Sequence, residues 1–200
     1  MYALGSFLAP LIIRYHHADL RRAGLITMIV YGLSGIPGLL AGGALADRWG
    51  VKRRDGRLLV AALATLVSAP LMLLALLQPK GSVMLFVLFG ALGCMVMYVY
   101  YASVYATLQD VVAPTLRGTA MSLYFFAMYV LGASFGPLAT GLVSDFFTRR
   151  AAAGLPLEPF RGEGLHNAMY LVPALSIVLA VVLFAGARTV GKDMERMQRG

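Results

Sequence analysis

Residues 42–57 read GGALADRWGVKRRDGR, and they place seven charged side chains in a chain that is 60% hydrophobic. On either side the sequence is nearly free of charge. Twenty-four residues without Asp, Glu, Lys or Arg separate Arg22 from Asp47, and another 22 separate Arg57 from Lys80. Further runs of 29, 27 and 24 lie between Lys80 and Asp110, Arg117 and Asp145, and Glu163 and Arg188. A helix rises about 1.5 Å per residue and needs about 20 apolar residues to cross about 30 Å of hydrocarbon. Each run meets that length, so five spanning helices are expected, and the charged stretch is the loop that joins two of them.

The whole composition agrees. A mean hydropathy of +0.77 with 13% charged residues lies outside the range of soluble domains. The runs show no apolar/polar alternation and are about twice the length of a barrel strand, which excludes a β-barrel. Met1 to Tyr15 is apolar but spans only about 22 Å, and it lacks the positive flank and small-residue cleavage site of a signal peptide. It is expected to be the end of a helix whose beginning is missing.

Lys and Arg orient the spans. With Arg48, Lys52, Arg53, Arg54 and Arg57 on the cytoplasmic side, alternation puts Arg117 and the tail (Arg188, Lys192, Arg196, Arg199) there too, ten cations against seven outside. Basic loops facing anionic lipid account for a pI near 9.9 without any nucleic acid. The expected location is an integral membrane protein of a bacterial inner membrane, with a cytoplasmic C-terminus.

The helices differ in their small residues. Ser34, Gly38, Gly42 and Ala46 recur at intervals of four along the second helix, a stripe that lets another backbone approach. The fifth repeats the device with Gly132 and Gly136, followed by Pro137 and Gly141. The third has no glycine and the sixth has one only at its end. Helices three and six are therefore expected to face lipid, and two, four and five to be packed. Pro37, Pro70, Pro137 and Pro173 each remove a backbone hydrogen bond inside a span, so bends are expected there.

Gly43-Ala44-Leu45-Ala46-Asp47-Arg48-Trp49-Gly50-Val51-Lys52-Arg53 fits G-x-L-A-D-R-x-G-x-[KR]-[KR]. In physical terms Gly43 permits close helix contact and Gly50 a tight turn. Asp47 at a helix end can accept hydrogen bonds from the N-terminus of a neighbouring helix, and Arg48 can pair with a carboxylate or a C-terminal carbonyl. A basic loop obeying the positive-inside rule explains the cations but not Gly, Asp and Gly at these spacings. The stretch resembles the cytoplasmic loop motif of the major facilitator superfamily. The segment 105–126, with Pro114, Arg117 and Gly118, is similar to the P-x-x-R-G cytoplasmic turn of that superfamily, and 131–145 to its G-x-x-x-G-P pattern. In order, these segments look most like the C-terminal half of a Spinster-like facilitator.

The resemblance implies an all-α polytopic membrane protein, one six-helix bundle of the facilitator fold with its first helix truncated. The spans fall at about 1–15 (partial), 23–46, 58–77, 83–108, 119–143 and 168–187. It implies alternating access of two bundles around a site near the bilayer midplane. The partners it implies are membrane lipid, a small-molecule substrate and an N-terminal six-helix half, upstream or on a second subunit. Lys52 and Arg53 would hold the loop inside, and Asp47 with Arg48 would latch one conformation against the missing half. A half-size membrane protein that oligomerises or scaffolds through its glycine faces is the alternative.

Tyr98, Tyr101 and Tyr105 lie on one face of the fourth helix, with Tyr31 and Tyr129 near the middle of the second and fifth. A mid-membrane tyrosine needs a partner for its hydroxyl, so Tyr31, Tyr98, Tyr101 and Tyr129 are candidates for a wet cavity, with helix packing as the other use of such a stripe. Tyr105 is assigned to the interfacial aromatic belt. No span carries a charge at its centre, which leaves no evident ion relay.

Gly132-Ala133-Ser134-Phe135-Gly136 matches G-x-S-x-G, but a nucleophile elbow needs a strand-to-helix turn and a nearby base. Ser134 is mid-helix and His166 is about 10 Å away along the membrane normal, so an enzyme is not expected. His16 and His17 lack metal-ligand spacing and are expected to be solvated. Cys94 is alone. No cofactor motif is present. The loop from Ser144 to Asn167 is read as an outer insertion with room for a short interfacial helix.

Overall fold

The structure is a computed structural model and describes residues 1–199, with side chains described through Gly191 and at Met194. The expected contributions of Lys192, Arg196 and Arg199 to the charge balance lie outside the described side chains. Every regular element is helical among the described residues. Helix α1 (Tyr2–Tyr15) is followed by α2 (Leu20–Thr27), a π-helical segment at Met28–Leu33, and α3 (Gly35–Lys52). These last three form one continuous rod. Helices α4 (Gly56–Leu76) and α5 (Val83–Asp110) make a hairpin. A second composite rod joins a 3₁₀ turn (Pro114–Leu116), α6 (Arg117–Ala127), a π segment (Met128–Ser134) and α7 (Phe135–Ala152). After another 3₁₀ turn come α8 (Arg161–Met169) and α9 (Leu171–Arg199). Five rods are long and apolar enough to cross a membrane, with α1 a shorter apolar helix.

Helix α4 is the hub, packed on α5, α9 and α3. This corrects the expectation that the third helix faces lipid. Half of its apolar window is buried, whereas only 6% of the window in Pro114–Ala152 is. The sixth span is buried to the same extent as the second and fourth. Alanine is the reason: Ala61, Ala62, Ala64, Ala69 and Ala75 of α4 are all buried, so a helix with no glycine after its first residue, Gly56, still admits close neighbours. Ser68 Oγ donates to Gly93 O at 2.9 Å, tying α4 to α5. Short α1 is a core element, with Leu8, Leu11 and Ile12 fully buried. Together with Val30, Met72, Phe86 and Leu165 they form the main apolar cluster.

Both π segments precede a proline that cannot donate to the carbonyl four residues back. Pro37 blocks the bond to Leu33 and Pro137 that to Ala133. The ladder shifts register upstream: Ser34 N bonds Ile29 O at 3.2 Å, five residues back. Ser34 Oγ satisfies Val30 O at 2.6 Å, and Ser134 Oγ approaches Tyr129 O at 3.5 Å. The two segments share the order Met-x-Val-x-Gly-x-Ser-x-x-Pro, at 28–37 and 128–137. Pro70, by contrast, sits within regular α4.

Helix α8 is not an interfacial helix lying apart. It packs on α7 and α1, with Gly162, Gly164 and Leu165 buried. A Cβ on Gly164 would fall 2.0 Å from Thr148 Oγ1 and 2.7 Å from Ser144 O, and one on Gly162 would fall 2.6 Å from Arg14 O.

Candidate functional site

The stripe of α3 meets α5 at backbone distance. A Cβ on Gly38 would lie 2.3 Å from Met95 O, and one on Gly42 2.8 Å from Val99 Cα. Ser34 and Ala46 are buried on the same face. This approach brings the tyrosines of α5 beside Tyr31. Tyr98 Oη donates to Tyr31 O at 2.8 Å, so a carbonyl of the π segment accepts the tyrosine's hydrogen bond. The rings follow one another down the helix, Tyr98 to Tyr101 at 6.0 Å and Tyr101 to Tyr105 at 5.9 Å between centroids.

Between α1, the first π segment, α5 and α6 these rings wall an open cavity of about 280 Å³. Tyr31, Tyr98, Tyr101 and Tyr129 all line it. So does Tyr105, near the Asp110 end of α5, with its ring packed on Phe125 at 5.5 Å and Tyr124 at 5.6 Å. Met1, Tyr2, Leu39, Phe125 and Met128 complete the wall and were missed in the sequence. Helical spacing identifies residues on one helix but does not show which face of α1 or α6 turns toward it. Tyr98 lies about 18 Å along α5 from Asp110, near mid-helix. A Cβ on Gly132 would fall 3.2 Å from the Tyr2 ring, whereas one on Gly136 or Gly141 would reach α1 only at 4.0 and 3.8 Å.

At one end of the bundle Arg57 gathers the charges. Its guanidinium donates to Asp47 at 3.1 Å and also to Asp110, joining the end of α3, the start of α4 and the end of α5. Gly50 makes room for it, since a Cβ there would fall 2.8 Å from Arg57 Nε. The expected tight turn at Gly50 is therefore corrected: α3 continues through it to Lys52, and the glycine serves the passage of Arg57. The turn itself falls at Arg53 to Gly56, where Arg53 binds both oxygens of Asp55 at 3.0 Å. Within this bundle Gly43 brings no helix close: a Cβ there would meet nothing within 4 Å, and the residue faces open space. Asp47 is 72% exposed despite its bond to Arg57, so one side of the carboxylate stays open. Arg117 Nε donates to Gln109 O at 3.0 Å across the turn that begins at Pro114, while Gly118 faces open space.

The opposite end is capped by aromatic and charged groups. Tyr15 stacks on His166 at 4.0 Å, and His166 Nε2 donates to Leu76 O at 2.7 Å. Lys80 binds Glu163 at 2.6 Å and lies 5.4 Å from the Tyr15 ring centroid. The hydrogen bond to Glu163 raises the Lys80 pKa above its usual value. His16 is buried rather than solvated, packed on Phe86 at 4.9 Å. Burial, followed by the nearby His166 and His17, pushes its pKa down. Among the described residues no group of three or more His, Cys, Asp or Glu is placed to hold a metal. Ser134 spends its hydroxyl on its own helix.

The fold and the two charged ends define a polytopic helical bundle of the membrane, with a tyrosine-lined cavity open on one side. The profile of the Major Facilitator Superfamily matches residues 1–196, and the chain belongs to that family. It is 31% identical over 196 residues to an "MFS-type efflux pump" of Mycolicibacterium smegmatis, covering 96% of this chain and 42% of that protein. Protein spinster homolog 3 of Mus musculus is 32% identical over 112 residues, 56% of this chain and 22% of the relative. A crystal structure of a bacterial homolog to the human lysosomal transporter Spinster, inward-facing and unoccupied, superposes with a TM-score of 0.81 at 21% identity. It covers 96% of this chain and 45% of that one, and shows the shared fold. The chain spans less than half the length of the relatives it matches.

Proposed function

We propose that the chain is one bundle of a facilitator-type transporter that moves a small organic or amphipathic solute by alternating access. The observation that carries this is the cavity. It lies at mid-depth, is open rather than enclosed, and borders the Pro114–Ala152 rod, of whose apolar window this bundle buries only 6%. A second six-helix bundle is the partner that closes both, as in inverted-repeat transporters. Asp47 is the conformational latch. Arg57 orients it within its own bundle, and its open side is available to a helix N-terminus of the partner, which Gly43 allows to come close. Lys52 and Arg53 keep that loop in the cytoplasm, and the C-terminus lies on the same side of a bacterial inner membrane.

Asp47→Asn tests the latch: solute uptake by the full-length protein is expected to fall while membrane insertion is unchanged, because the charge acts between states. Uptake at the wild-type rate would remove the latch. The uncovered rod also fits a second copy of this chain, which would make the protein a half-size assembly or scaffold. A C-terminal tag separates the two. An immunoblot band of about twice 21.4 kDa identifies one chain carrying both bundles, and a band near 21.4 kDa identifies the half-size protein.

A further inference from the structure

We propose that the tyrosine-walled cavity selects organic monocations of the quaternary-ammonium or charge-delocalised kind, held by ring faces rather than by a carboxylate. This rests on the reading of the cavity as the solute site. Six tyrosines and Phe125 line it, and among the described residues no Asp, Glu, Lys or Arg side chain does. Neighbouring rings are tilted rather than stacked, by 63° between Tyr31 and Tyr98, 40° between Tyr98 and Tyr101, and 53° between Tyr101 and Tyr105. An edge or tilted contact engages at most one face of a ring and leaves the other, and a cation within about 6 Å of a ring centroid is attracted to such an open face. The thioethers of Met1 and Met128 add polarisable surface to the same wall.

An anion finds no opposite charge here: among the described residues no Lys or Arg side chain lines the cavity, and Tyr98 commits its hydroxyl to Tyr31 O at 2.8 Å. The lack of a counter-charge further selects among cations. A primary ammonium or a metal ion surrenders strong hydration that only fixed acceptors replace, whereas a quaternary or delocalised cation is weakly hydrated and suits an apolar aromatic wall.

The test is equilibrium dialysis of the full-length protein in lipid nanodiscs, with empty nanodiscs subtracted, against phenyltrimethylammonium and benzenesulfonate, which are similar in size and opposite in charge. The cation is expected to bind roughly tenfold more tightly than the anion. Tyr129 is the first position to vary because it is 57% exposed in this bundle and carries little of its packing. Tyr129→Phe, which keeps the ring, should retain binding within about twofold, while Tyr129→Leu should weaken it roughly fivefold. Tyr101→Phe and Tyr101→Leu repeat the comparison deeper in the wall. Equal or tighter binding of benzenesulfonate overturns the assignment, as does a Phe variant as damaging as the Leu one. If neither probe binds while vesicles still show solute flux, the cation class is wrong and the transport reading stands. If the cation binds and flux is absent, the cavity assignment holds and the transport reading falls.

Discussion

Gly38 and Gly43 lie five residues apart on one helix, yet they are expected to respond oppositely to the same methyl group. A Cβ at Gly38 would meet Met95 O at 2.3 Å and Tyr98 Cβ at 2.7 Å, and a backbone oxygen cannot rotate away. Gly38→Ala should therefore push α3 off α5 and cost about 1–3 kcal/mol, as overpacking does. Gly43→Ala meets open space and should gain up to about 1 kcal/mol from helix propensity. Thermal unfolding of the chain in detergent compares the two directly. Arg57 permits a second contrast. Arg57→Gln strands Asp110, which is 35% exposed, and should lower stability by about 1–3 kcal/mol in the same assay. Asp47→Asn should cost under about 1 kcal/mol, because that carboxylate is 72% exposed. The stripe at Ser34, Gly38 and Gly42 was legible because a four-residue period on one helix fixes a face. Gly50 was not, because its partner Arg57 comes from the next helix. Asp110 went unread for the same reason, since it stands 53 residues from Arg57 in sequence.

At the level of elements, the prolines were visible in the sequence but the form of their accommodation was not. A bend was expected at each. Pro37 and Pro137 are each preceded by a π segment, while Pro70 sits within an element that is α-helical throughout. A shifted ladder carries weaker hydrogen bonds, so amides of 28–34 and 128–134 should exchange hydrogen faster than those of α4 at equal depth. Mass spectrometry of peptides from nanodisc-embedded protein measures this, and equal protection would show the π segments to be as rigid as α4. Glycine content misjudged α4, since five buried alanines give the same closeness without the entropy that glycine loses. The corner between α1 and α2 also departs from expectation through His16. Its folded pKa is depressed by burial, so the unfolded chain binds the proton more readily. Stability contributed by neutral His16 is present above about pH 6.5, the unfolded value, and is lost as pH falls toward the lower folded value. Unfolding midpoints of the wild type should therefore drop between pH 7 and pH 5, and His16→Gln should flatten that part of the profile.

Across the whole molecule the two charged ends belong on opposite sides of a membrane, because α4 runs about 31 Å from Gly56 at the Arg57 end to Leu76 at the Lys80 end. The spans and the family resemblance could be read from charge-free runs and one loop motif, both of which are local in sequence. Which rods are covered could not, because that depends on the neighbour each face meets. The chain supplies its own probe of orientation. Cys94 is its single cysteine and is fully buried, so this chain itself adds almost no background to labelling by a membrane-impermeant maleimide. Lys52→Cys and Gln78→Cys place reactive thiols at exposed or half-exposed positions on the two ends. With the basic loop in the cytoplasm, Gln78→Cys should label in intact spheroplasts and Lys52→Cys only after permeabilisation. The reverse pattern would invert the bundle and place Asp47 outside. It would also set the five-cation cluster against the positive-inside rule, so that packing with another bundle, rather than Lys and Arg, would have to fix the orientation.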